Sequence, residues 1–413
     1  MIKTFKPLIV DALEEMASHK LRTLLTLLGM IFGVGAVIAM LNIGEGAERQ
    51  ALKLIDSMGL RNLIVESKQF ASDELVEIRE DSLGLTLADV DAAATTLPFV
   101  IDHSAERRIK TQSVYSDEGR SDANVVGVTA SHFALSNMKT ADGRLLSDED
   151  DLNVAQVAVL GSSAASELFP NGEAVGKFVK VNHLWLQVVG VLSNPYLGKD
   201  EFQGVKIGGD SERVFVPLLT SLKKLSSVAL ASELDVVKLK ISDQVDPTVA
   251  AKAVTQLFKL RHGEAEDYQL IVPAALLAQQ KQTQQIFNIV MACVAGISLL
   301  VGGIGIMNIM LANVLERTKE IGLLRAVGAT QQDIKFQFIA ESFTISVLGG
   351  LLGIVFGLAL SEIIGFYSGW AVSWSMVAIF LSLGICIAVG VGFGVFPAIK
   401  ASQLNPIEAL HSD

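Results

Sequence analysis

Four long apolar stretches constrain this chain more than any other feature of its sequence. Residues 23–44 and 282–315 carry no charged side chain, a third stretch at 336–361 is interrupted only by Glu341, and a fourth lies within the uncharged run 363–399. A bilayer core about 30 Å thick is crossed by roughly 20 helical residues. The mean hydropathy of +0.46 is high for a soluble protein. We therefore predict transmembrane helices at 22–44, 285–312, 339–362 and 375–397.

Lysine and arginine residues near the span ends predict the orientation. Residues 1–22 and the loop 313–338 each contain four basic residues, and Lys400 follows the last span, whereas the loop between spans three and four contains none. Cytoplasmic loops carry the excess of Lys and Arg. We therefore place the segments 1–21, 313–338 and 398–413 in the cytoplasm and residues 45–281 outside it.

The region 45–281 is long enough to pack as an independent extracytoplasmic domain. It contains 34 acidic and 24 basic residues, a net charge of −10. This excess argues against a nucleic-acid partner, although an acidic surface also serves solubility alone. Both cysteines, Cys293 and Cys386, lie in predicted spans, so the domain has no disulfide and no cysteine metal site.

The sequence of this region predicts an α+β domain on helical stalks that extend from the first and second spans. Alternation of β-branched residues predicts strands at 62–67, 108–116, 124–129, 156–161, 177–182, 184–192 and 235–242. A helix at 85–98 is capped by Thr86, and a helix at 246–263 opens with Asp246-Pro247 and closes at Gly263. The acidic run 148–151 is most simply a solvated turn.

Residues 7–20 put Ile9, Leu13 and Met16 on one helical face with charges opposite, which predicts an amphipathic helix in the cytoplasmic interface. A simple extension of span one is the alternative.

The short charged segment between spans two and three is the most informative part of the chain for function. It combines Glu316, Arg317, Lys319, Glu320 and Arg325 with an apolar stripe and ends in a Gly-Ala turn at 328–329. A helix of this kind on the membrane surface can be pushed by a soluble partner. The alternative is a solvated loop, whose exposed ion pairs contribute only about 0–1 kcal/mol.

Glycines recur at four-residue spacing in the spans, as Gly29 and Gly33 and as Gly349, Gly353 and Gly357. Small residues at this spacing let helix backbones approach closely in lipid. The spacing fits packing within one subunit and a dimer seam equally well.

Several kinds of chemistry are missing from these 413 residues. There is no GxxxxGK[ST] phosphate loop and no GxSxG, and the six histidines form no ligand pair at helix spacing. We expect no catalytic site, no metal site and no cofactor bound directly. The spans hold only Glu341 and Glu362, near their ends, which argues against an ion-coupled carrier. Glu341 is interpreted as a boundary carboxylate that reaches interfacial water or the loop arginines.

The segment ERTKEIGLLRAVGA at 316–329 resembles the cytoplasmic loop motif of the MacB-like and FtsX-like ABC transporter permeases, and it lies between the second and third of four spans, as in that family. The order of GRLLSDED (143–150), VAVLG (157–161), LFP (168–170), GKFVKV (176–181) and VVGVL (188–192) is similar to the family's external core domain. The tail PAIKASQLNPIEAL (397–410) and the start KLRTLLTLLGMIFGV (20–34) support the resemblance.

The resemblance implies a stand-alone permease subunit of the bacterial cytoplasmic membrane, with its large domain in the periplasm. ATP is expected to be used by two copies of a separate ABC ATPase, and a second permease copy completes a homodimer or heterodimer. A periplasmic adaptor and an outer-membrane channel are implied for Gram-negative relatives. The resemblance assigns ATPase coupling to Glu316, Arg317, Thr318, Glu320, Ile321, Gly322, Leu324, Arg325 and Gly328.

The expected function is export by mechanotransmission, in which the spans transmit movement to the periplasmic domain. An FtsX-like mechanical regulator of a partner such as a cell-wall hydrolase, or a lipoprotein-release permease, is the alternative. The long external domain favours export.

The missing phosphate loop predicts that this chain, purified alone, hydrolyses no ATP. The measurement is phosphate release by the purified chain with and without an added ABC ATPase. Hydrolysis that follows the chain itself through every purification step would contradict the prediction.

Overall fold

The computed structural model describes residues 20–193, 201–202, 205–206, 209–225, 230–263, 265–368 and 372–410. The chain divides into two compact units: a membrane unit (Met1–Gln50 and Lys281–Asp413) and an inserted unit (Ala51–Gln280). The surface helix predicted over 7–20 lies outside the described residues, apart from Lys20.

The helices are α1 (Lys20–Met58), α2 (Ser72–Asp81), α3 (Leu87–Thr96), α4 (Ser131–Leu135), α5 (Asp148–Leu152), α6 (Ser162–Leu168), α7 (Leu218–Lys224), α8 (Pro247–His262), α9 (Pro273–Glu316), α10 (Thr318–Ala326), α11 (Gln331–Ser368), α12 (Met376–Ser402) and α13 (Pro406–Leu410). The strands are β1 (Asn62–Ser67), β2 (Val100–Ile109), β3 (Val114–Tyr115), β4 (Arg120–Ser121), β5 (Asn124–Val128), β6 (Thr140–Gly143), β7 (Val157–Leu160), β8 (Phe178–Val181), β9 (Leu184–Leu192), β10 (Glu201–Phe202), β11 (Val205–Lys206), β12 (Arg213–Pro217), β13 (Val236–Ile241) and β14 (Tyr268–Ile271).

Four of the described helices, α1, α9, α11 and α12, are long and apolar enough to cross a membrane. Helix α1 has 39 residues and α9 has 44, about twice what a bilayer needs. Each of these two helices has residues in both units. The sequence predicts such extensions as the helical stalks of spans one and two. The predicted fold class, four apolar helices with an α+β domain inserted between the first and second, is confirmed.

Glycines bring the helices of the membrane unit into backbone contact. A Cβ atom on Gly29 would lie 2.9 Å from the Cα of Gly302 on α9, and one on Gly353 would lie 2.7 Å from the Cβ of Val34. Gly357 lies against the backbone of Gly35, whereas Gly33 and Gly349 face the side chains of Leu299 and Met30. Each of these five glycines therefore has a close neighbour on another helix of the same chain.

The inserted unit is built on a 12-stranded sheet in the order β14-β1-β13-β2-β5-β12-β7-β9-β8-β3-β4, with β6 paired to β9. The pairs β5–β12 and β7–β9 are parallel. Helices α3 and α8 cover β1, β13 and β2 with buried Val90, Val254 and Phe258. Helix α6 covers the strands around β7 and β9 with Leu168.

Two of the predicted elements differ in the structure. The strand predicted at 108–116 is displaced, because β2 runs over Val100–Ile109 and only Val114–Tyr115 pairs beyond it. The charged residues of β2 are held by partners: Arg107 Nη1 donates to the Ser221 carbonyl at 2.6 Å, and Arg108 Nη2 lies 2.6 Å from Glu66 Oε1. Burial alone would raise the pKa of Glu106, but Arg213 and other nearby cations lower it to about 2.

The acidic run at 148–151 forms helix α5 and is not a turn. Ser147 and Asp150 form a capping box at its start. Arg144 Nη1 lies 2.6 Å from Asp150 Oδ2, which helps to lower the pKa of Asp150 to about 2. These local hydrogen bonds stabilise a helix in an acidic run where the sequence predicts a turn.

A buried ionic cluster in the inserted unit is centred on His262, whose side chain is 2% exposed. His262 Nδ1 lies 2.9 Å from Asp267 Oδ1, and Nε2 lies 3.5 Å from Asp89 Oδ2. Ser82 Oγ donates to Asp267 at 2.8 Å. Burial by itself would lower the pKa of His262, but the two carboxylates raise it to about 9. The imidazolium therefore joins α8 to the residues before β14 and to the first turn of α3.

We expect His262→Gln to lower the free energy of unfolding by about 2–4 kcal/mol at neutral pH, because two buried carboxylates lose their shared cation. The raised pKa means that the contribution of His262 is fully present below its ordinary value of 6.5 and is lost as the pH rises through about 9. The measurement is unfolding of the full chain in detergent across this pH range.

The matched control is His183→Gln, because His183 is exposed in the turn between β8 and β9. We expect that variant to unfold like the wild type. A stability difference for His262→Gln that stays constant as the pH rises through about 9 would contradict the assigned charge state.

Candidate coupling site

The segment between the second and third spans begins as a continuation of α9. Arg317 separates α9 from α10, yet the helical hydrogen bonds run across it: Arg317 N donates to the Asn313 carbonyl at 2.9 Å, and Ile321 N donates to the Arg317 carbonyl at 3.0 Å. Thr318 Oγ1 donates to the Val314 carbonyl at 2.8 Å. Because these bonds cross the junction, α10 is fixed in direction relative to α9.

The end of α10 is a tight turn centred on Gly328, which has a φ of +113°. Ala329 N donates to the Leu324 carbonyl at 3.0 Å, and Val327 N donates to the Leu323 carbonyl at 3.0 Å. A glycine at this position lets the chain reverse at low steric cost. Thr330 caps α11: its Oγ1 donates to Asp333 Oδ2 and accepts a hydrogen bond from Asp333 N. Hydrogen bonds therefore fix the turn into the third span on both of its sides.

One face of α10 is anchored in the membrane unit. Ile321 is 3% exposed and belongs to the same apolar cluster as Ile334, Phe338 and Ala401. Gly322 is buried beside it. The family resemblance implied that Ile321 takes part in ATPase coupling, but its burial leaves it no surface for a direct contact with the ATPase. Ile321 holds α10 against the permease and is not available to a partner.

Other apolar side chains at α10 are exposed. Leu324 is exposed, as a docking residue requires, and so are Leu323 and Val327, the latter 82% exposed. Sequence reasoning missed Leu323 and Val327 as contact candidates. The sequence did contain a signal for them. A short helix needs only one stripe of apolar residues for burial, and this segment has more apolar residues than one stripe can hold.

Charged residues accompany these exposed apolar side chains. Glu316 and Glu320 are exposed, and Arg317 Nε lies 2.9 Å from Glu320 Oε2. Arg325 is half-buried. Exposed apolar side chains together with charges of both signs are typical of a protein-binding surface.

Behind α10, a buried polar contact joins the second and third spans. Asn313 Nδ2 donates to Glu341 Oε1 at 3.2 Å, and Glu341 is 6% exposed. Glu341 therefore does not reach interfacial water, which corrects that part of the interpretation made from its position near a span end. Asn313 lies in the uncharged run that ends at residue 315, and the sequence gave no reason to expect it as a hydrogen-bond partner of Glu341.

The described residues contain no group of three or more His, Cys, Asp or Glu side chains arranged to hold a metal ion.

Comparison with known proteins matches both parts of the chain. The family model described as a MacB-like periplasmic core domain matches residues 23–257, and the model described as an FtsX-like permease C-terminal region matches residues 292–406.

Two curated relatives are similar along almost the whole chain. The macrolide export ATP-binding/permease protein MacB of Bdellovibrio bacteriovorus is 32% identical over 402 residues, which cover 96% of this chain and 60% of the relative. The protein of the same name from an Azoarcus species is 36% identical over 408 residues, which cover 97% of this chain and 59% of the relative. The chain thus spans about 60% of the length of these relatives.

Among solved structures, the periplasmic region of MacB from Actinobacillus actinomycetemcomitans aligns with a TM-score of 0.44 and 24% identity. The alignment covers 57% of this chain and 97% of that one.

We expect Gly328→Ala to loosen the end of α10, because a Cβ atom at a φ of +113° costs roughly 1–2 kcal/mol. The measurement is limited trypsin cleavage after Arg325 in the full chain. The matched control is Gly392→Ala in α12, where a Cβ atom meets nothing within 4 Å. Equal cleavage rates in the two variants would show that the turn does not depend on Gly328.

Proposed function

This chain belongs to the family of ABC transporter permeases that combine a MacB-like periplasmic core domain with an FtsX-like C-terminal region, and we propose that it is the membrane subunit of an export transporter driven by a separate ATPase. It is a multi-pass membrane protein whose inserted unit is extracytoplasmic. Because one span precedes that unit and another follows it, α10 lies on the cytoplasmic side, where ATP is available.

The observation that carries the proposal is the division of α10 into two faces. Ile321 fixes the helix to the permease, while Leu323, Leu324 and Val327 remain exposed between charged residues. A helix that is rigidly held on one side and apolar on the other can receive a push from a docked protein. We propose that the docked protein is the ABC ATPase, present in two copies with two permease subunits.

Transmission follows from the continuity of α9 and α10. When the ATPases close on ATP, a displacement of α10 acts on the junction at Arg317, where two backbone hydrogen bonds, from Arg317 N and from Ile321 N, connect the helices. Helix α9 has 44 residues and extends into the inserted unit. A helix of that length carries the displacement along its axis, so we propose that the spans transmit movement and do not form a substrate tunnel.

The substrate is proposed as a drug, peptide, toxin or similar compound released from the periplasmic side. The two relatives above are named macrolide exporters, which supports export as the class of activity. The proposed location is the bacterial cytoplasmic membrane, with a periplasmic adaptor and an outer-membrane channel as further partners.

Mechanical regulation of a cell-wall hydrolase and lipoprotein release would use the same coupling site. The proteins that co-purify from native membranes separate these functions: an adaptor or channel supports export, whereas a hydrolase bound to the inserted unit supports regulation.

The test of the coupling site is the double variant Glu316→Lys with Glu320→Lys. We expect the permease to fold and insert normally, because both side chains are exposed and the Arg317–Glu320 pair is worth only about 0–1 kcal/mol. Loss of a desolvated charge contact at an interface costs roughly 2–5 kcal/mol, or about thirty-fold or more in affinity. The measurements are ATPase co-purification and survival of the cells on a panel of exported compounds.

The matched control is Asp117→Lys with Glu173→Lys, which reverses two exposed carboxylates in the inserted unit. We expect it to retain the ATPase. Full ATPase retention and full survival in the Glu316, Glu320 variant would exclude this segment as the transmission point.

A further inference from the structure

The C-terminal tail of the described chain folds into a short capped helix, α13. Asn405 precedes it, and its Oδ1 accepts a hydrogen bond from Ile407 N at 3.2 Å while its carbonyl accepts one from Ala409 N at 2.9 Å. Pro406 occupies the first helical position, where its fixed φ is favourable and its missing N–H costs nothing. The sequence Asn-Pro thus starts this helix at a defined residue.

Helix α13 packs directly against α10. Ala409 is buried, and Leu404, just ahead of the helix, packs on the apolar cluster that contains Ile321 and Ala401. The tail and the coupling helix therefore share one core and form a two-helix platform at the same end of the membrane unit.

The outer face of α13 repeats the pattern of α10. Ile407 is 72% exposed, and the neighbouring Glu408 is exposed as well. On α10, exposed Lys319 and Glu320 accompany the exposed Leu323 and Leu324. Exposed charged side chains accompany the apolar ones on both helices, which favours water over the lipid core around this platform. Exposed apolar side chains grouped on one surface and rimmed by charge mark a protein-binding site.

We propose that α10 and α13 form a single docking platform for the ATPase, in which Ile407 supplies an apolar contact from the C-terminal tail. The inference rests on the proposed function, because it extends the α10 surface to a second helix that packs on it. The same partner is the occupant of both helices, since their exposed apolar residues belong to one continuous packed pair. The tail also has a positioning effect: Ala409 and Leu404 support α10 from the side.

The experiment compares three substitutions in the full chain, expressed with its native partners. Ile407→Asp tests the tail, the pair Leu323→Asp with Leu324→Asp tests α10, and Leu152→Asp is the matched control, because Leu152 is an exposed leucine of the inserted unit. The readouts are the amount of ATPase that co-purifies and the unfolding temperature of the permease alone. We expect Ile407→Asp to reduce the retained ATPase at least tenfold with an unchanged unfolding temperature, and Leu152→Asp to change neither.

The outcomes separate the two proposals. Loss of the ATPase in both the tail and the α10 variants supports the platform. Loss in the α10 variant alone overturns the role of the tail and leaves the coupling helix in place. Retention in both overturns the platform and the coupling site together.

If Ile407→Asp also lowers the unfolding temperature, Ile407→Ser replaces it, because that change removes the apolar contact without adding a charge. Loss of the ATPase in a stable Ile407→Ser variant supports the proposal, and retention overturns it.

Discussion

The close approach of helix backbones at glycine positions is the constraint on which the membrane unit depends. Lipid is as apolar as the side chains it surrounds, so helices gain little from apolar burial alone and associate through contact and hydrogen bonds. Gly29 on α1 lies against Gly302 on α9, and Gly357 on α11 lies against the backbone of Gly35. A side chain at either position would separate α1 from its neighbours. The bundle that anchors α10 would then lose the surface into which Ile321 packs.

Polar groups inside the bundle are satisfied locally, as a medium without water requires. Asn42 is fully buried, and its Nδ2 donates to Ser361 Oγ at 3.5 Å while its Oδ1 accepts from Ser375 N at 3.1 Å. This contact ties α1 to α11 and to the residue that caps α12. At the opposite end of the spans, Asn313 and Glu341 join α9 to α11 next to the coupling helix. Each end of the bundle is therefore fixed by an asparagine, and movement of α10 acts on helices that are already joined.

Much of the architecture could be predicted from the sequence because the relevant signals are local. Uncharged runs of bilayer length gave the four spans, and the caps Thr86 and Asp246 begin helices α3 and α8 as expected. Strand β2 could not be predicted in the same way, because its charged side chains form ion pairs with Glu66 and Arg213 and a hydrogen bond with the Ser221 carbonyl, which are all distant in sequence. The order of twelve strands and the buried pairing of Glu341 with Asn313 likewise depend on contacts that no local pattern records.

The coupling site shows why the buried and exposed residues of a short helix are difficult to assign from its sequence. Ile321 and Leu324 are three residues apart, about 60° around the helix, so periodicity assigns them to one stripe. In the folded chain that stripe is divided: Ile321 is buried in the permease, and Leu324 lies at the border of the exposed face. A helix that serves two surfaces needs apolar residues on both, and its pattern then resembles that of a helix with one broad face. Only the position of the surrounding helices decides which residue holds α10 in place and which is left for a partner.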